Sequence, residues 1–230
     1  WVYKPFMNYI HICKDNGRWH IFNPYGKGHL QAFNCLYIYE GGHREEVTIP
    51  AGTTYYEVPR GVEVVLPNSD GRAYGHFVLD GEIIEWLTKN MTTIEDDLMR
   101  QSFIMVLNEE YENNWLLDND LDSRRWLEFP IRYLPHEKNH LIASTINGYP
   151  TPPLLHPGTT EDEARLWDIA STHENIAIRR SLKMTLAHAM RSETMAAKYY
   201  DIWLTEGDKS LNEGDYMTLA YELAVRIPEQ

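Results

Sequence analysis

The chain has 230 residues, of which 43% are hydrophobic and 24% are charged, and its formal net charge is −13. This size and composition are typical of a soluble globular protein with room for two domains. The acidic balance argues against nucleic acid and anionic membrane as main partners, because phosphate binding needs clustered lysine and arginine. The nearest such pairs, Arg124-Arg125 and Arg179-Arg180, are interpreted as solvated helix faces. No apolar run approaches the roughly 20 residues of a membrane-spanning helix.

The first third of the chain has the pattern of short β-strands. Apolar and polar residues alternate, and turn signals such as Asp15-Asn16-Gly17 and Pro50-Ala51-Gly52 separate the runs. The predicted strands are Tyr9–Cys13, Trp19–Phe22, Gln31–Tyr39, Glu46–Ile49, Thr53–Val58, Val62–Leu66 and Tyr74–Leu79. Seven strands with no helix pattern between them predict an immunoglobulin-like β-sandwich domain over residues 1–81.

From residue 82 onward, apolar residues recur every three or four positions, which is typical of helices. The predicted helices are Glu82–Lys89, a helix that ends near Asn113, Ser123–Tyr133, Pro135–Asn147, Thr160–Thr172, Asn175–Arg191, Glu193–Leu204 and Asn212–Ile227. Capping boxes are expected at Thr92 with Glu95 and at Thr160 with Glu163. The stretch 149–158 holds four prolines and is expected to be a loop. Short helices joined by short loops predict a HEAT-like α-helical domain over residues 82–230. The fold class is therefore all-β followed by all-α.

The only two cysteines, Cys13 and Cys35, fall in separate predicted strands. They could pair in an oxidising compartment, but two cysteines do not indicate a disulfide framework. Buried free thiols are the preferred interpretation.

One motif resembles a catalytic site. His136, Glu137 and His140 match the His-Glu-x-x-His pattern, in which two histidines one helical turn apart bind zinc and the glutamate activates its water. On a helical count, the apolar face includes Leu134 and Ile142, whereas both histidines lie on the opposite, solvated side. We therefore interpret the motif as a chance match and not as a zinc site.

Other candidate sites are weaker. The aromatic residues of the predicted strands (Trp19, Phe22, Phe33, Tyr37, Tyr39, Tyr55 and Tyr56) could stack on sugars, although alternation places about half of them in a core. The acidic runs 108–112 and 118–122 could suggest calcium, but the second lacks the glycine and terminal glutamate of an EF-hand loop. A solvated acidic loop is the preferred interpretation.

Three segments together resemble a known family. Trp1–Met7 comes first, Val65–Phe77 follows within the late strands, and Asp96–Arg100 opens the helical part. This order resembles the C-terminal portion of M1-family zinc aminopeptidases, the aminopeptidase N group. In that family a β-sandwich with an Asn-x-Asp-x-x-Gly-Tyr hairpin precedes a helical domain whose first long helix carries Asp and Arg near its start, as Asp97 and Arg100 do here.

The resemblance implies that the chemistry lies upstream. The chain opens on Trp1 and not on Met, so we expect a piece of a longer polypeptide. Its zinc-binding catalytic domain would be the partner of this segment, and peptides would be the substrates of the parent enzyme. No catalytic, cofactor-binding or metal-ligating residue is assigned in this chain, because the family's Gly-x-Met-Glu-Asn is absent and its zinc helix precedes the sandwich. Residues 73–76 also depart from the family's Gly-Tyr-(Tyr/Phe)-Arg.

The alternatives are functions of other classes. The chain could be a carbohydrate- or peptide-binding module with a helical scaffold, or a small metalloprotease that uses His136, Glu137 and His140. The expected function is that of a non-catalytic fragment whose helices line or cap the peptide chamber of the parent aminopeptidase.

Overall fold

The computed structural model describes residues 9–24, 31–116, 123–147 and 160–226. Its contacts divide the chain into two compact units, Trp1–Asp118 and Asn119–Gln230. This division lies C-terminal to the predicted domain boundary after residue 81, because the first two helices belong to the same unit as the strands. The segments 1–7, 118–122 and 149–158, to which the sequence analysis assigned roles, lie wholly or mostly outside the described residues.

The first unit begins with seven strands, and each lies where a strand is predicted. They are β1 (Tyr9–Asp15), β2 (Arg18–Phe22), β3 (Phe33–Tyr39), β4 (Arg44–Ile49), β5 (Tyr55–Glu57), β6 (Val62–Pro67) and β7 (His76–Leu79). One sheet has the order β5-β2-β1-β7 and the other β4-β3-β6. All neighbours are antiparallel except β1 and β7, which run parallel.

The apolar faces of the two sheets share a core. Ile10 and Ile12 of β1 are buried, whereas Tyr9, His11 and Cys13, which alternate with them, are half-exposed, as period-two alternation requires. Phe33 and Phe77, from different sheets, meet edge to face with ring centroids 5.5 Å apart. Trp19 is buried and its indole N–H donates to the Glu63 carbonyl across the same interface, at 3.0 Å.

Two α-helices complete the first unit. Helix α1 (Gly81–Asn90) begins after Asp80, whose carboxylate accepts from the Glu82 amide at 2.9 Å. A 3₁₀ turn at Met91–Thr93 leads to α2 (Asp97–Leu116). The predicted capping box at Thr92 and Glu95 is wrong, because Thr92 belongs to the 3₁₀ turn. Asp96 caps α2 instead, accepting from the Met99 amide at 2.8 Å.

The second unit is helical. Its α-helices are α3 (Ser123–Tyr133), α4 (His140–Asn147), α5 (Thr160–Thr172), α6 (Ile176–Ala189), α7 (Glu193–Thr205) and α8 (Glu213–Arg226). Helix α6 packs against α4, α5 and α8, and α7 packs against α8. The predicted order of strands followed by helices is confirmed. Within the ranges that the structure describes, no helix combines the length and the apolar character needed to cross a membrane.

Two sequence predictions fail in this unit. The predicted helix Pro135–Asn147 is a 3₁₀ turn at Leu134–His136, an extended residue at Glu137, and then α4. The capping box of Thr160 with Glu163 is also wrong. Glu163 is buried and accepts from the Arg191 amide at 2.7 Å and from the Ser192 hydroxyl, so it holds the N-terminus of α7 and not that of its own helix.

Both cysteines are free in the structure. Cys35 is buried in β3, and burial raises the pKa of its thiol strongly. Cys13 is half-buried on β1, where burial, with smaller contributions from Asp80 and Asp15, also raises its thiol pKa. Neither thiol therefore has the lowered pKa of a reactive cysteine.

Candidate functional site

A cleft of about 660 Å³ in the second unit contains the first part of the His-Glu-x-x-His motif. Residues 135–138 form one wall, and residues 168, 169 and 172–175 at the end of α5 and the start of α6 form the other. The motif therefore lies at a concave surface, which is where a catalytic site is expected.

Glu137 does not point a free carboxylate into this cleft. Its side chain is buried, with 3% exposure, and accepts from the Tyr133 hydroxyl and from the Asn139 amide, the latter at 2.7 Å. Its backbone is extended, with φ −79° and ψ 125°. Asn139 in turn caps α4, because its side chain accepts from the Leu141 amide at 3.0 Å. The carboxylate therefore fixes the chain where α3 ends and α4 begins.

The two histidines of the motif do not share a helical turn. His136 ends the 3₁₀ turn and His140 begins α4, and both are exposed. The helical geometry assumed for the motif was wrong, because the bonds of Glu137 and Asn139 restart the helix between the two histidines. In the part of the chain that the structure describes, no three His, Cys, Asp or Glu residues cluster as metal ligands would.

A histidine that the sequence analysis missed lies at the base of the same cleft. His173 is buried, its Nε2 lies 3.1 Å from the Leu134 carbonyl oxygen, and its Nδ1 accepts from the Asn175 amide at 3.0 Å. These partners require a neutral imidazole with the proton on Nε2. Asn175 caps α6 through the Ala177 amide at 2.9 Å and also donates to the Lys138 carbonyl at 3.0 Å. His173 and Asn175 thus tie the two walls together.

The edge of the cleft is acidic. Asp168 and Glu174 are exposed at its edge, with Lys138 as the cation opposite. The Thr172 hydroxyl donates to the Asp168 carbonyl at 2.7 Å, as an ordinary helical side-chain bond.

The described residues of the family resemblance lie in the first unit, in the loop after β6 and at the start of α2. Asn68 has a left-handed backbone (φ 56°), and its side chain accepts from the Ala73 amide at 2.9 Å and donates to the Ala73 carbonyl at 3.3 Å. Gly71 has a positive φ (68°), which favours glycine, and it lies against α2, where an added Cβ would be 3.5 Å from the Ser102 Cβ. The Ser102 hydroxyl donates to the Asn68 carbonyl. We call this set the Asn68 joint.

Arg100 completes the contact at the start of α2. One of its terminal nitrogens donates to the carbonyls of Ile94 and Glu95, at 2.8 Å each, and the other pairs with Asp97. The Asp and Arg that carry the resemblance therefore close the turn that leads into the long helix.

The acidic run 108–112 also has a structural role in α2. Asn108 and Glu110 are buried, so the interpretation as a solvated loop is wrong for this run. The Glu110 carboxylate lies 3.9 Å from Nε2 of His76 on β7. Burial, with a smaller contribution from His11, lowers the pKa of His76. Periodicity in the sequence gives no sign of this contact, because the two residues are 34 positions apart.

The aromatic residues divide as alternation predicts. Trp19, Phe33 and Tyr37 are buried, whereas Tyr55 on the edge strand β5 is 57% exposed. The registers place Tyr55 beside Phe22, and Phe22 beside His11, on the outer face of their sheet. An aromatic row of this kind suits the stacking of a sugar ring.

Comparisons with known proteins give no independent assignment. No model of a protein family matches the chain, and no curated protein matches it at a significant level. The likeness to M1 aminopeptidases therefore depends on the residues of the Asn68 joint and of the Arg100 turn.

Proposed function

We propose that the chain is the non-catalytic C-terminal region of an M1-family zinc aminopeptidase. In this proposal the two sheets form an immunoglobulin-like β-sandwich and the later helices form a HEAT-like array. The observation that carries it is the Asn68 joint, in which the Asn68 side chain closes its own loop and the Asn68 carbonyl accepts from Ser102 of the first long helix.

The roles of the resembling residues support this proposal. Asn68 and Arg100 bond to the backbone of their own segments. Asp97 pairs with the Arg100 guanidinium, and Gly71 lies against α2. A β-domain that only positions a following helical domain needs such residues and needs no catalytic group of its own. The motif that resembles a catalytic site, by contrast, is built into helix caps.

In the parent enzyme, a catalytic domain upstream would bind zinc and cleave residues from peptide N-termini. The helices of this segment would line or cap the chamber that holds the peptide. The acidic edge of the cleft, formed by Asp168 and Glu174, is compatible with cationic peptide groups, which an anionic wall attracts.

The direct test is the coding sequence before Trp1. The proposal predicts an open frame that encodes Gly-x-Met-Glu-Asn and then His-Glu-x-x-His. A stop codon, or an unrelated domain in that frame, would refute the proposal.

The activity of the purified chain is a second test. With zinc added, it should fail to hydrolyse an aminoacyl-nitroanilide, and turnover above the buffer blank would contradict the non-catalytic assignment.

The exposed Tyr55 supports one alternative function, a carbohydrate-binding module. Its ring stacks on His20, with centroids 5.5 Å apart, and its hydroxyl lies 2.5 Å from His20 Nδ1, so the ring is held in place. Oligosaccharides should then quench the aromatic fluorescence of the chain. Tyr55→Ala should abolish the quench, whereas Tyr74→Ala, at an equally exposed tyrosine outside this row, should retain it.

A further inference from the structure

A second cavity in the helical unit, of about 550 Å³, is lined by more positive than negative charge. It lies between the first turns of α6, the end of α7 and the connection 207–210. Three cations line it, Arg179, Lys183 and Lys209, against two carboxylates, Asp201 and Asp208. This local excess is opposite in sign to the net charge of the whole chain, which is −13.

One of the carboxylates is already engaged. Lys183 is buried and its ammonium pairs with Asp208, and it also lies 3.3 Å from the Ser210 hydroxyl. Asp208 further accepts from the Ser210 amide at 2.9 Å and from its hydroxyl at 2.5 Å. The Lys183–Asp208 pair is therefore neutral and its hydrogen bonds are internal, which leaves Arg179 and Lys209 against the exposed Asp201.

Arg179 provides the observation that points to a ligand. Its Nε is buried, yet it has no hydrogen-bond partner among the described residues. A buried donor without an acceptor is costly, so native proteins rarely leave one in place. The neighbouring Arg180 shows the usual solution, since its Nε and Nη2 donate to the Asp215 carboxylate at 2.6 and 3.0 Å.

We infer that this cavity, which we call the Arg179 pocket, binds a small oxyanion, a phosphate or carboxylate group, through Arg179 with Lys209 as the second cation. The planar guanidinium supplies parallel N–H donors that match two oxygens of such a group. The Thr205 hydroxyl donates to the Asp201 carbonyl, and the Ser210 hydroxyl donates to Asp208. Because both hydroxyl protons are already used, the anion would be bound by the two cations. This inference does not depend on the proposed aminopeptidase origin.

The test is calorimetric titration of the whole chain with inorganic phosphate and, separately, with acetate, at an ionic strength held constant with sodium chloride. We expect one saturable site for at least one of the two anions. A response to phosphate alone would identify a phosphate ligand, and an equal response to acetate would identify a carboxylate. Binding of neither anion would overturn the inference.

Matched variants locate the site. Arg179→Met should weaken binding by at least about tenfold, because the loss of even one charge-assisted hydrogen bond has that effect. Arg132→Met, the same change at an exposed helical arginine of this unit, should leave binding unchanged. Lys209→Met changes an exposed side chain and should also weaken anion binding. It tests the site independently if Arg179→Met folds poorly. Equal binding by the wild type and by both pocket variants would show a general salt effect and contradict the inference.

Discussion

Two segments of this chain resemble parts of a zinc aminopeptidase, and they differ in what their residues do. The segment 136–140 matches a catalytic motif letter for letter, but Glu137 is buried in helix-capping bonds and the two histidines lie on different elements. The Asn68 joint matches only a loose family pattern, yet its bonds close the loop after β6 and fix that loop to α2. A short motif is meaningful only if its backbone has the geometry that its chemistry needs.

The largest effect that this comparison predicts is at Glu137. Glu137→Ala leaves the buried Tyr133 hydroxyl and the Asn139 amide without this acceptor, and should lower the free energy of unfolding by about 3 kcal/mol. Urea denaturation measures this loss. His136→Ala and His140→Ala, at exposed positions of the same motif, should change it by less than about 0.5 kcal/mol. Equal effects at all three residues would argue that the motif acts as a unit.

The Asn68 joint should be nearly as sensitive. Asn68→Ala removes two bonds to Ala73 and places alanine at φ 56°, so we expect a loss of about 2 kcal/mol in the same assay. Asn68→Gly removes the same bonds but tolerates the left-handed backbone. It should therefore cost about 1 kcal/mol less than alanine. Identical losses for the two variants would show that the side-chain bonds alone matter.

The cap at Asn175 should have a smaller effect. Asn175→Ala removes the acceptor for the Ala177 amide and the donor to the Lys138 carbonyl, and should cost about 1 kcal/mol. Asn175→Asp keeps the cap acceptor and removes only the donor, so thermal denaturation should place it between the wild type and alanine. An aspartate variant as unstable as alanine would mean that the bond to Lys138 is the larger contribution.

The pH dependence of stability tests the Arg180–Asp215 pair. Burial alone would raise the pKa of Asp215, but hydrogen bonds from Arg180 and the Asn212 backbone outweigh it and lower the pKa. Because the folded pKa is the lower one, this stabilisation is present above the unfolded value of about 4 and is lost as pH falls through the folded pKa. In Asp215→Asn, the free energy of unfolding should therefore fall less steeply as pH decreases. A variant with the same pH profile as the wild type would contradict this role of the Arg180–Asp215 pair.

The strands could be predicted from the sequence because their signals are local. Turn residues such as Gly17 and Gly52, both with positive φ, bound runs that alternate by two. The two wrong capping boxes share a physical cause. In each, another residue or a partner distant in sequence competes for the predicted capping bond. Glu163 fits a capping box but bonds Ser192, 29 positions later, and Glu95 gives way to the adjacent Asp96.

The candidate cleft could be predicted only in part for the same reason. The sequence indicates the Glu137 motif and the helix start at Asn175. It gives no sign that His173 would bond the Leu134 carbonyl across 39 positions, or that Lys183 would be buried against Asp208. The interpretation of Arg179-Arg180 as a solvated face likewise fails at Arg179, whose Nε is buried.

The central claim is that the His136-Glu137-x-x-His140 segment is structural and that the chemistry lies in a domain outside this chain. The zinc content of the purified chain after dialysis against zinc-containing and then metal-free buffer tests it most directly. The account predicts the same trace level of zinc in the wild type and in His140→Ala. About one zinc per chain in the wild type, lost in His140→Ala, would contradict it.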